Sequence, residues 1–157
     1  IMDINSKGTF LATQIAMPYL KESKNGRVVN LSSDAGKKGF AMITTYCASK
    51  FAVTGMTQAI GAEVAPYGVT VNAVCPATTP GTGMGEKVAS QKVELYKEMG
   101  FSKGDLETIL KEGAAYFPLG RFGTVEDVVS TIMYLISENA SWITGESINV
   151  DGGSLGG

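Results

Sequence analysis

The sequence predicts an α/β fold in which about three parallel strands are flanked by helices, and three observations carry that expectation. Short β-branched runs at Arg27 to Leu31, Val69 to Val74 and Glu146 to Val150 are each bounded by turn-forming residues. Longer stretches with the apolar spacing of helices lie between them. Strands that alternate with helices imply right-handed crossovers and therefore a parallel sheet.

From Asp3 to about Lys24 the apolar positions Ile4, Phe10, Leu11, Ile15, Met17 and Leu20 fit a helix, and Pro18 is expected to bend or end its regular part. The opening Ile1-Met2-Asp3-Ile4 reads as the interior of a helix with no start signal and no leader, so the sequence is expected to be a fragment of a longer protein. Gly26 then punctuates, and R-V-V-N-L suits a buried parallel strand. A loop from Ser32 to Ile43 carries glycines at positions 36 and 39. Thr44 to about Pro66 is the longest helical candidate, with Tyr46, Phe51, Val53, Met56, Ile60 and Val64 on a broad apolar face. V-T-V-N-A-V follows as a strand that Cys75-Pro76 ends. Residues 77–123 form a long excursion with helices expected at 86–99 and 104–115. Thr124 is placed to cap the last helix, with Glu126 and Asp127 in the first turn, where the helix dipole favours acids. Val128, Val129, Ile132, Met133, Leu135 and Ile136 continue its apolar face, and Glu146 to Val150 closes the sheet before Asp151-Gly152-Gly153.

A length of 157 residues fits one domain, and 44% hydrophobic against 18% charged residues is apolar enough for a core and too apolar for disorder. The net charge of -2 and a pI near 5.2 provide no basic footprint for nucleic acid or an anionic membrane. No apolar run reaches the roughly 18 residues that a membrane helix needs, so a cytoplasmic protein with neither nucleic-acid nor membrane partners is expected. Cys47 and Cys75 lack C-x-x-C spacing and are read as small buried or lining residues, not as a disulfide or metal knuckle. The absence of histidine removes Ser-His-Asp and Cys-His machinery and leaves few zinc ligands. Acid–base chemistry near neutrality must then come from Asp, Glu, Lys, Cys or Tyr with shifted pKa values.

Tyr46-Cys47-Ala48-Ser49-Lys50 places a tyrosine and a lysine four apart on the long helix, hence on one face. An ammonium beside the phenol is expected to lower a pKa that starts near 10, making Tyr46 a usable proton donor and acceptor. An exposed helix face would explain the same spacing. Ser33 lies just past the strand V-V-N-L, at the carboxyl end where open α/β sheets bind ligands. A hydroxyl there can stabilise charge developing on a substrate oxygen. Ser32 competes for that role, and turn chemistry explains either residue.

With these residues in place the chain resembles the short-chain dehydrogenase/reductase family, in its C-terminal catalytic part. The runs V-V-N-L-S-S-D-A-G, Y-C-A-S-K, Y-G-V-T-V-N-A-V-C-P, P-L-G-R-F-G-T-V-E-D-V and I-T-G-E-S-I-N-V-D-G-G carry the likeness in order. The resemblance implies the C-terminal portion of a Rossmann-like doubly wound parallel sheet, with the N-terminal nucleotide-binding half missing. It implies a single partial domain over 1–157, in which 77–123 supplies the substrate-binding loop and helices. It also implies an NAD(P)-dependent oxidoreductase that transfers a hydride between nicotinamide, as NAD or NADP, and a secondary alcohol or ketone. Family spacing selects Ser33 as the oxygen-holding serine and Tyr46 as general acid/base. Lys50 tunes Tyr46 and binds the nicotinamide ribose. D-I-N-S-K-G-T-F resembles the helix that supplies a catalytic Asn, so Asn5 inherits a water-holding role in a proton relay from Lys50. Pro76, Ala77, Thr78 and Thr79 are the further candidate cofactor contacts, although the family's Pro-Gly stands here as Pro76-Ala77. Family likeness also implies a homo-oligomer, a tetramer or dimer, built through the two long helices and the terminal strand.

Gly81-Thr82-Gly83-Met84-Gly85 lacks the full dinucleotide fingerprint and is read as a hinge of the substrate loop. Met84, Tyr96, Met99, Phe101, Tyr116 and Phe117 are candidate lid residues or simply the packing of its helices. Two readings compete with the enzyme: a truncated, inactive member that serves as an oligomerisation or binding module, and an isomerase or dehydratase of the extended type. The compact ending I-N-V-D-G-G favours the simple dehydrogenase over the second of these.

Overall fold

A computed structural model describes residues 1–80 and 106–155 of the chain. A π-helical turn (Asp3–Lys7) leads into α1 (Gly8–Glu22), followed by β1 (Arg27–Leu31), a 3₁₀ turn (Asp34–Gly36) and α2 (Thr44–Val64). The second half of the described chain contains β2 (Thr70–Pro76), α3 (Leu106–Ala115), α4 (Val125–Ile136) and β3 (Ser147–Val150). The helix expected at 86–99, the glycine-rich stretch at 81–85, and the lid candidates Met84, Tyr96, Met99 and Phe101 lie outside the described residues.

The three strands form one parallel sheet in the order β1-β2-β3. Arg27 stands opposite Thr70 and Leu31 opposite Val74, while Ala73 faces Ser147 and Pro76 faces Val150. Parallel strands need both faces covered, and successive side chains of a strand point to opposite faces. Val28 and Val71 therefore point to the side of α1 and α2, where they pack with Met17, Leu20, Ile60, Val64 and Val69. Val29 and Val74 point the other way, onto Val128, Ile132 and Leu135 of α4 and onto Ile143, Ile148 and Val150. Each fully buried Val or Leu of this kind contributes about 1.5–3 kcal/mol through apolar burial.

The two asparagines buried in the strands are paired, whereas Arg27 Nε, Thr70 Oγ1 and Ser147 Oγ are buried without a partner among the described residues. Asn30 donates to the Thr57 hydroxyl of α2 at 2.9 Å on one face. On the other, Asn72 donates to the Ile143 carbonyl at 2.8 Å and accepts the Glu146 N–H at 3.1 Å, tying β2 to the turn before β3. Thr124 caps α4 as expected, within a full capping box: its hydroxyl accepts the Asp127 N–H, and the Asp127 carboxylate accepts the Thr124 N–H. Arg121 pairs with the same carboxylate at 2.7 Å and holds it well below the ordinary carboxylate range.

Two expectations about the first helix are corrected. Its opening turn is π-helical, not α-helical. Pro18 does not end it, since α1 runs on to Glu22, although the proline has no N–H to give the ladder. Both cysteines are buried and free, as read from their spacing.

One contact fixes α2 against the sheet. A Cβ added at Gly61 would stand 2.8 Å from the Gly145 nitrogen and 3.1 Å from Thr144 Oγ1, and Gly145, with φ +76°, donates its N–H to the Val71 carbonyl. Gly61→Ala is expected to destabilise the fold by about 1–3 kcal/mol through overpacking. Urea denaturation checks this, and an unchanged midpoint would show that the contact yields freely.

Candidate active site

The carboxyl ends of the strands gather the candidate residues. Ser32 and Ser33 leave β1, and the Ser32 N–H donates to the Val74 carbonyl at 2.9 Å, which lays this corner along the end of β2. Pro76 and Ala77 leave β2, and Ala77 donates its N–H to the Val150 carbonyl of β3 at 3.2 Å. Ligands bind outside this edge in open α/β sheets.

The 46–50 turn of α2 is seated on that edge from below. Ser32 Oγ donates to the Lys50 carbonyl at 3.1 Å and shares a hydrogen bond with the Thr54 hydroxyl. Gly36 allows the approach: a Cβ there would collide with Ser32 Oγ and stand 2.8 Å from the Lys50 carbonyl. The geometry thus separates the two serines. Ser32 is spent on the helix backbone, whereas Ser33 caps the 3₁₀ turn, accepts the Ala35 N–H at 3.2 Å, donates to the Asp34 carboxylate at 2.7 Å, and stands near enough to the Tyr46 phenol to lower its pKa.

The electrostatics depart from the expectation at one point. Tyr46 is half-buried and its pKa is raised above 10.0, chiefly because burial disfavours the phenolate; the nearby Ser33 hydroxyl pulls it down, and the Asp34 charge pushes it up. The expected lowering by Lys50 does not occur in this arrangement. Lys50 Nζ donates to the Leu31 carbonyl at 2.8 Å and lies 5.7 Å from the centre of the Tyr46 ring, so its head is directed to the strand end. Burial also lowers the Lys50 pKa below 10.5. Cys75, fully buried, belongs to the same corner, and its pKa is pushed up by burial.

Asn5 sits in the π-helical turn and reaches α2 indirectly, its side-chain amide donating to the Ser49 hydroxyl at 3.1 Å. Thr78 and Thr79 continue from Ala77. The Thr78 carbonyl accepts the Gly123 N–H at 3.3 Å, and the Thr79 hydroxyl donates to the Ala77 carbonyl at 3.2 Å, so this segment is tied to the start of α4. Asp34, Gly36 and Ser49 stand within the family-like runs, but the sequence assigns them no role. Only the glycine in S-S-D-A-G, directly after the strand, could have signalled a close approach.

Because burial outweighs every opposing contribution, the Tyr46 phenol is expected to titrate above pH 10. The absorbance of phenolate formation, taken as wild type minus Tyr46→Phe, checks this; a midpoint below 10 would mean that the Lys50 field dominates.

Comparison with known proteins gives consistent results. The family pattern described as Enoyl-(Acyl carrier protein) reductase matches residues 1–154. The 2-(S)-hydroxypropyl-CoM dehydrogenase 3 of Xanthobacter autotrophicus is 36% identical, over 98% of this chain and 55% of its own length. The ligand-free aldohexose dehydrogenase of Thermoplasma acidophilum superposes with a TM-score of 0.83 at 34% identity, over 99% of this chain and 58% of the other. An actinorhodin polyketide ketoreductase variant with NADPH also gives 0.83 at 34% identity, over 98% and 57%. The chain therefore spans somewhat more than half the length of the relatives it matches.

Proposed function

The chain belongs to the short-chain dehydrogenase/reductase family, and we propose that it is the catalytic part of an NAD(P)-dependent oxidoreductase that interconverts a secondary alcohol and a ketone. The observation that carries this reading is the placement of Ser33, Tyr46 and Lys50 at the carboxyl edge of the sheet, with Ser33 just past β1, and Lys50 donating to the strand end and lying 5.7 Å from the Tyr46 ring centre.

The donor set fits a nicotinamide nucleotide. Lys50 is a half-buried ammonium that gives one N–H to Leu31, and an ammonium has three. The remaining donors suit ribose hydroxyls, while Pro76, Ala77, Thr78 and Thr79 offer backbone and hydroxyl groups at the neighbouring strand end. Bound there, nicotinamide supplies the two-electron chemistry at the substrate carbon. The residues of this chain handle the oxygen. With its pKa raised, Tyr46 is protonated at neutral pH and in the reducing direction gives its proton to the substrate oxygen. Ser33 turns its hydroxyl from Asp34 to that oxygen and stabilises the charge that develops on it. Lys50 favours the phenolate left behind, and Asn5 keeps a water in reach for reprotonation. Alcohol oxidation runs these steps in reverse.

Homo-oligomerisation is part of the proposal. Ile4, Ile15 and Tyr19 are 78%, 70% and 75% exposed along the first helix, more apolar surface than one face of a solitary helix ordinarily leaves in water. The cytoplasm is the proposed location; among the described residues no helix is long and apolar enough to cross a membrane.

Tyr46→Phe, made in the full polypeptide that carries this chain, is expected to lower turnover of ketones with NADPH or NADH by about 10²-fold or more, as for loss of a positioned acid. An unchanged rate would sink the assignment. The competing reading, a binding or oligomerisation module, draws on the same exposed apolar helix. Fluorescence titration of the 157-residue chain separates the two halves of the problem: cofactor affinity weaker than about micromolar is expected, because the chain covers little more than half of its relatives. Micromolar affinity would show that these residues suffice to hold the nucleotide.

A further inference from the structure

The geometry points to Ser49 as a positioning residue, the clip that holds Asn5 and the Tyr46 turn in one frame; this rests on the oxidoreductase reading above. Ser49 lies between Tyr46 and Lys50 on α2 and is fully buried. It touches no candidate substrate or cofactor group. Its polar atoms are all engaged. The hydroxyl donates to the Tyr46 carbonyl at 2.7 Å and accepts the Asn5 side-chain amide at 3.1 Å, while the Ser49 carbonyl accepts the Ser6 hydroxyl at 3.1 Å.

Two of these bonds cross from α2 to the π-helical turn, spanning 44 and 43 positions of sequence. π-helical turns are rare and concentrate where a helix must present a residue that regular winding would turn away. Here the widened turn offers the consecutive residues Asn5 and Ser6 to one residue of α2, and Ser6 is buried with it. Helix formation does not call for a serine at position 49, because alanine is the better helix former. What the hydroxyl adds is the tie. It fixes Asn5 to the same backbone turn whose other end carries Lys50, and the Lys50 carbonyl is in turn clamped by Ser32. The residue proposed to hold the relay water and the residues it serves are thus referred to a single rigid segment.

Ser49→Ala in the full polypeptide is expected to lower kcat about tenfold while KM for both substrates stays within about twofold, the pattern of a displaced helper and not of a lost binding contact. Asn5→Ala removes the same bond from the less buried side. The double variant is expected to be no slower than the slower single one, since both changes break one interaction. Ser130→Ala, on the exposed face of α4, serves as the control. Wild-type kcat in Ser49→Ala, or losses that multiply in the double variant, would overturn the inference.

A measurement without turnover keeps it testable if the oxidoreductase reading fails. Amide hydrogen exchange of residues 3–9 in the 157-residue chain is expected to speed up about tenfold in Ser49→Ala, with residues 125–136 unaffected. Absence of turnover in the wild type would count against the activity alone, whereas unaltered exchange at 3–9 would count against the clip.

Discussion

The seating of one turn of α2 on the end of β1 is the constraint on which the candidate site depends. Helix carbonyls near the start of a helix ordinarily serve the helix backbone, yet those of Tyr46, Ser49 and Lys50 each also accept a side-chain hydroxyl. The partners come from the turn itself, from the first helix and from the strand end. A segment braced internally and held from two other elements can keep a phenol and an ammonium in place with little loss of precision, which is what positioned proton transfer needs. The space for that seating is set by Gly36, where even a methyl group would strike Ser32 and the Lys50 carbonyl.

The sheet supplies the frame for this clamp. Because the strands are parallel, their carboxyl ends lie on one side, and the three chain exits at Ser32, Ala77 and Asp151 converge there. Polar side chains buried in β1 and β2 help to fix the layers: Asn30 binds α2 and Asn72 binds the turn before β3. Such residues weaken a core unless they are satisfied. Here both are, and they lock the layers at defined distances from the edge where chemistry is proposed.

Much of this was legible because it depends on local chemistry. R-V-V-N-L and V-T-V-N-A-V read as strands because β-branched runs between turn-formers have few alternatives, and Thr124 with acids behind it read as a cap because the first-turn N–H groups need acceptors. The placement of Tyr46 and Lys50 on one face followed from helical period alone. What escaped was tertiary. Nothing local in D-I-N-S-K announces a π-helical turn, since its reason lies on α2, in Ser49. Ser32 and Ser33 are told apart in the sequence only by the family spacing to Tyr46, and the physical difference, that Ser32 Oγ is occupied by the helix backbone, is tertiary.

The direction of the Tyr46 shift shows the same limit at the level of energies. Spacing places Lys50 within one turn, and a cation so near favours the phenolate by Coulomb attraction. But that attraction depends on where the flexible lysine chain directs its head, and the Leu31 carbonyl at the end of β1 accepts the ammonium at 2.8 Å. Burial of the phenol then decides the sign. In the reaction proposed above a protonated tyrosine is the form that donates to a carbonyl, and because oxidation is the reverse of reduction, a Lys50 head closer to the ring would favour the one phenolate-forming transition state that both directions share.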